Sequence, residues 1–191
     1  MQVNRSLIAA IALILAAVGV FFIVQRERTL EPVASAPFSL ISSSALAESI
    51  AQPEAPPAGY VAYTNERYGF SFYHSPEARI RAYDESGGAA TIVLEDITAV
   101  RGFQLFIVPY AGEMIAEARF LADVPSGVRE NVEQVFIGAQ RIEAVTFTSY
   151  DSSLGETREV WFLHGGYLYE VTTFSGGADW LVPVLQTWRF H

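Results

Sequence analysis

"YTNERYGFSFYHSP", residues 63–76, carries the plainest folding signal in the chain. Its second half alternates. Tyr68, Phe70 and Phe72 fall on one side of an extended backbone, and Gly69, Ser71 and Tyr73 on the other. A period of two marks a strand, because successive side chains point to opposite faces. Pro76 ends the strand, having no N–H to give to a ladder. Upstream, "YVAY" (60–63) has the same character, and "TNER" supplies a polar tip. The stretch predicts a hairpin with Tyr68, Phe70 and Phe72 in the core. Ser71 and His74 invite a second reading, as nucleophile and base. Yet Ser71 sits mid-strand, without the Gly-x-Ser-x-Gly elbow that exposes a serine nucleophile. Both are expected on the solvated side, without a catalytic role.

The same logic runs downstream. "AYDESGGAATIVLED" (82–96) predicts a hairpin turning at Ser86-Gly87-Gly88, then a strand over 90–95. "GFQLFIVPY" (102–110) predicts another, closed by Pro109. "GEMIAEARFLADVP" (112–125) has few β-branched residues and predicts a helix, with Ile115, Ala118 and Ala122 on one stripe and Pro125 stopping it. "NVEQVFIG" (131–138), "QRIEAVTFTSY" (140–150) and "TREVWFLHGGYLYEVTTF" (157–174) predict strands, the last split into two arms at His164-Gly165-Gly166. "GADWLVPVLQTWRFH" (177–191) predicts a closing helix capped by Asp179, with Pro183 in its first turn. Many antiparallel strands with one internal and one terminal helix make the fold class α+β.

The segments before Tyr60 differ in kind. Residues 6–24, "SLIAAIALILAAVGVFFIV", are nineteen positions without a charge. At about 1.5 Å per residue such a helix spans roughly 28 Å, close to the ~30 Å hydrocarbon core of a bilayer. The run is too long for a signal-peptide core. The first Ala-x-Ala pattern, Ala34-Ser35-Ala36, is followed by Pro37, which opposes cleavage. Residues 1–25 are therefore expected to form a retained single-pass anchor, with the lipid bilayer as partner of residues 6–24. Charge flanking is nearly balanced, with Arg5 before the span and Arg26 and Arg28 after it. The short head and large C-terminal part favour a cytoplasmic N-terminus and an extracytoplasmic domain. No glutamate interrupts the apolar run, which excludes a pilin-type N-terminus. Residues 26–59 contain Pro32, Pro37, Pro53, Pro56 and Pro57 among Ser, Ala and Glu, the composition of a disordered tether. Residues 60–191 are expected to be the folded domain.

Composition narrows the function classes. The net charge is −9, and residues 60–191 hold 9 Arg against 17 Asp and Glu. Nucleic-acid binding requires clustered positive charge, so no nucleic-acid partner is expected. There is no cysteine, hence no disulfide, thiolate metal site or cysteine nucleophile.

The order of elements over residues 60–191 resembles the PsbP-like family, named for an extrinsic photosystem II subunit. The resemblance rests on "YTNERYGFSFYHSP", on the late hairpin "GGYLYEVTTF" (165–174) and on "LQTWRF" (185–190). Residues 74–76, "HSP", depart from the Tyr-Pro usual there. The resemblance implies a curved antiparallel β-sheet flanked by helices. It implies no chemistry, and none of the photosynthetic subunit's functional residues is carried over.

Other candidates for chemistry are weak. His74, His164 and His191 are the only histidines and are too far apart in sequence for a His-x-x-x-His zinc site. His164 is expected in solvent at a hairpin tip. Asp84-Glu85 and Glu95-Asp96 flank a predicted hairpin and would suit Ca²⁺ if they met across it. Solvated strand ends are the simpler expectation. "HGGYLYE" (164–170) is glycine-rich but lacks a following lysine or helix, so it is no phosphate cradle. Tyr167 and Tyr169 share a strand face; exposed at sheet or helix edges, these rings and those of Trp161 and Trp188 would anchor a protein or sugar, but core and half-buried sheet positions are the simpler expectation. Catalytic, cofactor-binding and metal residues are therefore all assigned as none. The expectation is a membrane-tethered extracytoplasmic binding or assembly module with an unidentified protein or envelope partner. The other class is an envelope enzyme, such as a hydrolase, whose site is assembled from residues distant in sequence.

Overall fold

A computed structural model describes residues 56–191 other than Pro125 and Ser153. The expected anchor and all but the last residues of the expected tether lie outside the described residues. Among the described residues no helix is long and apolar enough to cross a membrane.

The opening hairpin forms as the alternation predicts. β1 (Val61–Asn65) pairs antiparallel with β2 (Phe70–His74), with Tyr63 opposite Phe72. Asn65 closes the tip: its Oδ1 accepts from the Tyr68 N–H at 3.1 Å. Gly69 follows at φ +63°, a left-handed conformation that glycine adopts freely. β3 (Arg79–Asp84), β4 (Ala90–Asp96), β5 (Arg101–Pro109), β6 (Glu130–Ile137), β7 (Ile142–Asp151), β8 (Gly155–His164) and β9 (Tyr167–Phe174) follow. Helix α1 (Glu117–Asp123) lies between β5 and β6. Helix α2 (Ala178–Gln186) and the two-residue β10 (Arg189–Phe190) end the chain.

The architecture is mostly β-sheet with a few helices, and it holds two sheets rather than the single expected one. β3-β4-β5-β9-β8-β7-β6 make a seven-stranded antiparallel sheet. The opening hairpin instead joins the chain end in a three-stranded sheet, β1-β2-β10. The main core lies between the two sheets and under α2: Phe70, Phe72, Phe103, Phe162, Tyr169 and Trp188 are each at most 1% exposed. Trp188 stacks on Phe70 and Phe72 at centroid distances of 4.7 and 5.1 Å. A smaller core lies on the other face of the large sheet, where Phe120 of α1 stacks on Trp161 at 4.8 Å above Phe147 and Leu168. Strands β5, β8 and β9 serve both cores by alternation. Phe103, Leu105 and Ile107 enter the first; Phe106 and Val108 enter the second.

Burial on both faces corrects several expectations. Ser71 and His74 are buried in β2, not solvated, because β2 is the middle strand of its sheet. Trp161 and Trp188 are core residues, the simpler of the two expectations for them. α1 is only seven residues long and buries Phe120, while Ala118 and Ala122 of the expected stripe are exposed. The Tyr110 hydroxyl holds the preceding turn, donating to the Met114 carbonyl and accepting from the Ala116 N–H, each at 2.9 Å. Helix therefore begins late. In α2 the N-cap is Gly177, so Asp179 lies in the first turn, and Pro183 is the sixth helical residue rather than a first-turn one. Its missing N–H leaves the Asp179 carbonyl without the usual helical donor.

Candidate functional site

The sequence candidates do not converge. The Asp84 and Glu95 ends of the β3–β4 hairpin are far apart in register, since Asp84 lies opposite Ala90 and Glu95 opposite Arg79. Three of the four acids have a cation instead, Arg67 with Asp84, Arg81 with Glu95 and Arg101 with Asp96, while Glu85 accepts from the Thr91 hydroxyl at 3.0 Å. Glu95 and Asp96 are buried by these pairings, which corrects their placement at solvated strand ends. The His74 Nδ1 lies 2.8 Å from the Ser75 carbonyl, a contact that assigns its proton to that nitrogen. His164 is exposed at the hairpin tip as expected, yet its ring stacks on Phe190 at 3.7 Å, and partial burial lowers its pKa from the ordinary histidine value. His191 is exposed. Among the described residues no three of the His, Asp and Glu side chains are grouped to hold a metal ion.

A different set of polar groups gathers where α1 lies across the large sheet. The register brings Trp161 of β8 opposite Glu170 of β9, and Glu159 opposite Thr172. Alternation then turns Glu159, Trp161, Glu170 and Thr172 to the α1 side, while Val160 and Tyr169 enter the main core. α1 adds Asp123, and the end of β7 adds Ser149 and Asp151. The cleft between them has internal room of about 30 Å³. That accommodates a water or two and falls well short of the roughly 300 Å³ at which small-molecule sites begin.

Glu159 faces this cleft without a cation. Oε1 accepts from the Thr157 hydroxyl at 2.8 Å; Oε2 accepts from the Thr172 hydroxyl at 2.7 Å and the Trp161 indole N–H at 3.3 Å. Burial nonetheless dominates and raises its pKa above the ordinary glutamate value, against the pull of those donors. Glu170 is set differently. Its Oε1 accepts from Arg119 of α1 through Nη2 at 3.1 Å and Nε at 3.3 Å, and Arg119 also pairs with Asp123 one helical turn on. Two carboxylates thus share one guanidinium. Burial and then the Asp123 charge raise Glu170 well above the ordinary value, Arg119 opposing. The nearness of Asp123 also favours the protonated form of Glu170.

Nothing in the spacing singles out Glu159, Glu170, Arg119 or Asp123. The one local sign is an acid inside an otherwise apolar strand, as in "EVWFL" (159–163) and "YLYEV" (167–171). Burial of that acid follows only once both strand faces are covered.

No protein-family model matches the sequence, and no curated protein matches it. The chain is similar in structure to cyanobacterial PsbP (CyanoP) from Synechocystis sp. PCC 6803, with 14% identity, a TM-score of 0.48 and coverage of 71% of this chain and 95% of that one.

Proposed function

We propose that this chain is a membrane-tethered extracytoplasmic module that binds or assembles with an envelope partner and catalyses no reaction. One observation carries the reading. The buried carboxyls that gather beside α1 are engaged by internal donors, and the remaining room is water-sized. A catalytic site needs polar groups that face a substrate, and space for it. Large side chains on the outside, among them Tyr83, Met114, Leu121, Phe136 and Tyr150, supply contact area of the kind partners use. Anchoring rests on the apolar run 6–24, and the extracytoplasmic side on the large domain that follows it, since long domains translocate largely regardless of charge.

The test combines topology with contact mapping. Protease added to spheroplasts should degrade the domain, and detergent should be required to extract the intact chain. Photocrosslinkers at Tyr83, Phe136 and Tyr150 should capture a discrete envelope protein, while one at the buried Phe103 should not. The competing reading, an envelope hydrolase, is favoured by the gathering of Asp123, Glu159 and Glu170 from distant segments, since raised carboxyl pKa values accompany acid catalysis. Purified chain whose hydrolytic activity disappears in Glu159→Gln, with its fold intact, would replace the binding proposal with that one.

A further inference from the structure

We propose that α1 is a pH-sensitive flap, latched over the large sheet when the Glu170–Asp123–Arg119 cluster holds a proton and loosened when it loses it. The charge count carries the inference. The side chains of Arg119, Asp123 and Glu170 are 17%, 12% and 3% exposed, so two acids face one cation where water is scarce. With one carboxyl protonated the cluster is neutral. With both ionised it carries a net negative charge in a site that disfavours it.

The neighbouring groups reinforce that sign. Glu159 on β8 and Asp151 at the end of β7 line the same cleft, and both are acids. On the outer side of α1, Arg129 pairs with Glu117 and lies 4.4 Å above the Phe120 ring, so its charge is already matched. α1 itself is short and buries little. Within the helix only Phe120 is buried, with Val124 just beyond it. A seven-residue helix has little stability apart from its packing, so a change in the latch should register there first. Loosening would uncover Trp161, Phe147 and Leu168, the apolar floor beneath Phe120.

Hydrogen exchange on the full chain in detergent, corrected for intrinsic rates at each pH, tests the proposal. Protection of the amides over 119–124 should fall between pH 5 and pH 8, by up to about tenfold per pH unit while the closed state keeps a proton the open state releases. Protection in β5 and β9 should fall less. Asp123→Asn decides between latch and simple support. It leaves Glu170 alone with Arg119, a pair that is balanced when the carboxylate is ionised, so protection at pH 8 should rise above wild type and the pH dependence should flatten. A purely structural Asp123 predicts the opposite, lower protection at all pH values. Wild-type protection that is constant with pH, or an equal fall in Asp123→Asn, overturns the proposal.

Discussion

Single residues show how parity became packing. Phe70 and Phe72 are two apart, both fully buried, and each stacks against Trp188. Phe70→Ala or Phe72→Ala should cost about 3–5 kcal/mol in chemical denaturation of a fragment spanning residues 56–191, enough to unfold a marginal domain. Ser71 is a sterner check because it is buried on the opposite face. Ser71→Ala removes no bulk, so a loss of under about 1 kcal/mol is expected, and a larger one would mean that its hydroxyl holds the sheet together. Gly138 tolerates no such change. It has φ +65°, and a Cβ there would lie 2.2 Å from the Trp188 carbonyl oxygen. Gly138→Ala should therefore cost more than about 2 kcal/mol, combining left-handed strain with displacement of the Trp188 backbone. A wild-type midpoint in Gly138→Ala would show that the β6–β7 turn can move away from the Trp188 backbone freely.

Elements explain what was legible beforehand and what was not. β1 to β9 announced themselves by alternation or by a β-rich run between glycine turns, and all of the predicted strands are present; β10 did not, falling within the stretch expected as the closing helix. Their arrangement into two sheets was not legible, because the decision rests on β10, two residues long and 115 positions after β2 ends. Arg189 and Phe190 pair with Ser71 and Phe70, and Gln140 clamps Phe190 from both sides, accepting its N–H at 2.8 Å and donating to its carbonyl at 3.0 Å. A pairing that short leaves no periodic trace. α1 was located but misread, since the Ile115–Ala118–Ala122 stripe is less bulky than Phe120, and large aromatic area outweighs helical pattern. The acid cluster was invisible because Arg119 and Glu170 are 51 positions apart and meet only where α1 packs across the large sheet. Gln140→Ala tests the β10 clamp. It strips two partners from a part-buried backbone and should destabilise the fragment by about 1–3 kcal/mol. The Trp188 fluorescence should shift with it if the chain end loosens, whereas an unchanged midpoint would mean that the Phe190 ring alone holds the end in place.

At the scale of the whole molecule, the buried carboxyls set how stability responds to pH. Glu159 and Glu170 both have pKa values above the ordinary 4.5, burial being the largest cause in each. The folded chain therefore keeps protons that the unfolded chain releases once the pH exceeds about 4.5. Their contribution is fully present below that value and is lost as pH rises through each folded pKa, at up to about 1.4 kcal/mol per pH unit per group. His164 acts in the opposite sense, because its lowered pKa favours the neutral ring and weakens the fold as pH falls below 6.5; being exposed, it contributes less. Comparing variants removes its part. Unfolding free energies of the 56–191 fragment, taken from pH 5 to pH 8, should fall more steeply in wild type than in Glu159→Gln or Glu170→Gln, with His164 contributing equally to all three. Glu159→Gln should keep its fold, since the Thr157 hydroxyl can turn to accept from the amide N–H while the amide oxygen still accepts from Thr172 and Trp161. Parallel curves for all three chains would mean that both carboxyls are ionised in the fold, and that the three donors around Glu159 outweigh its burial.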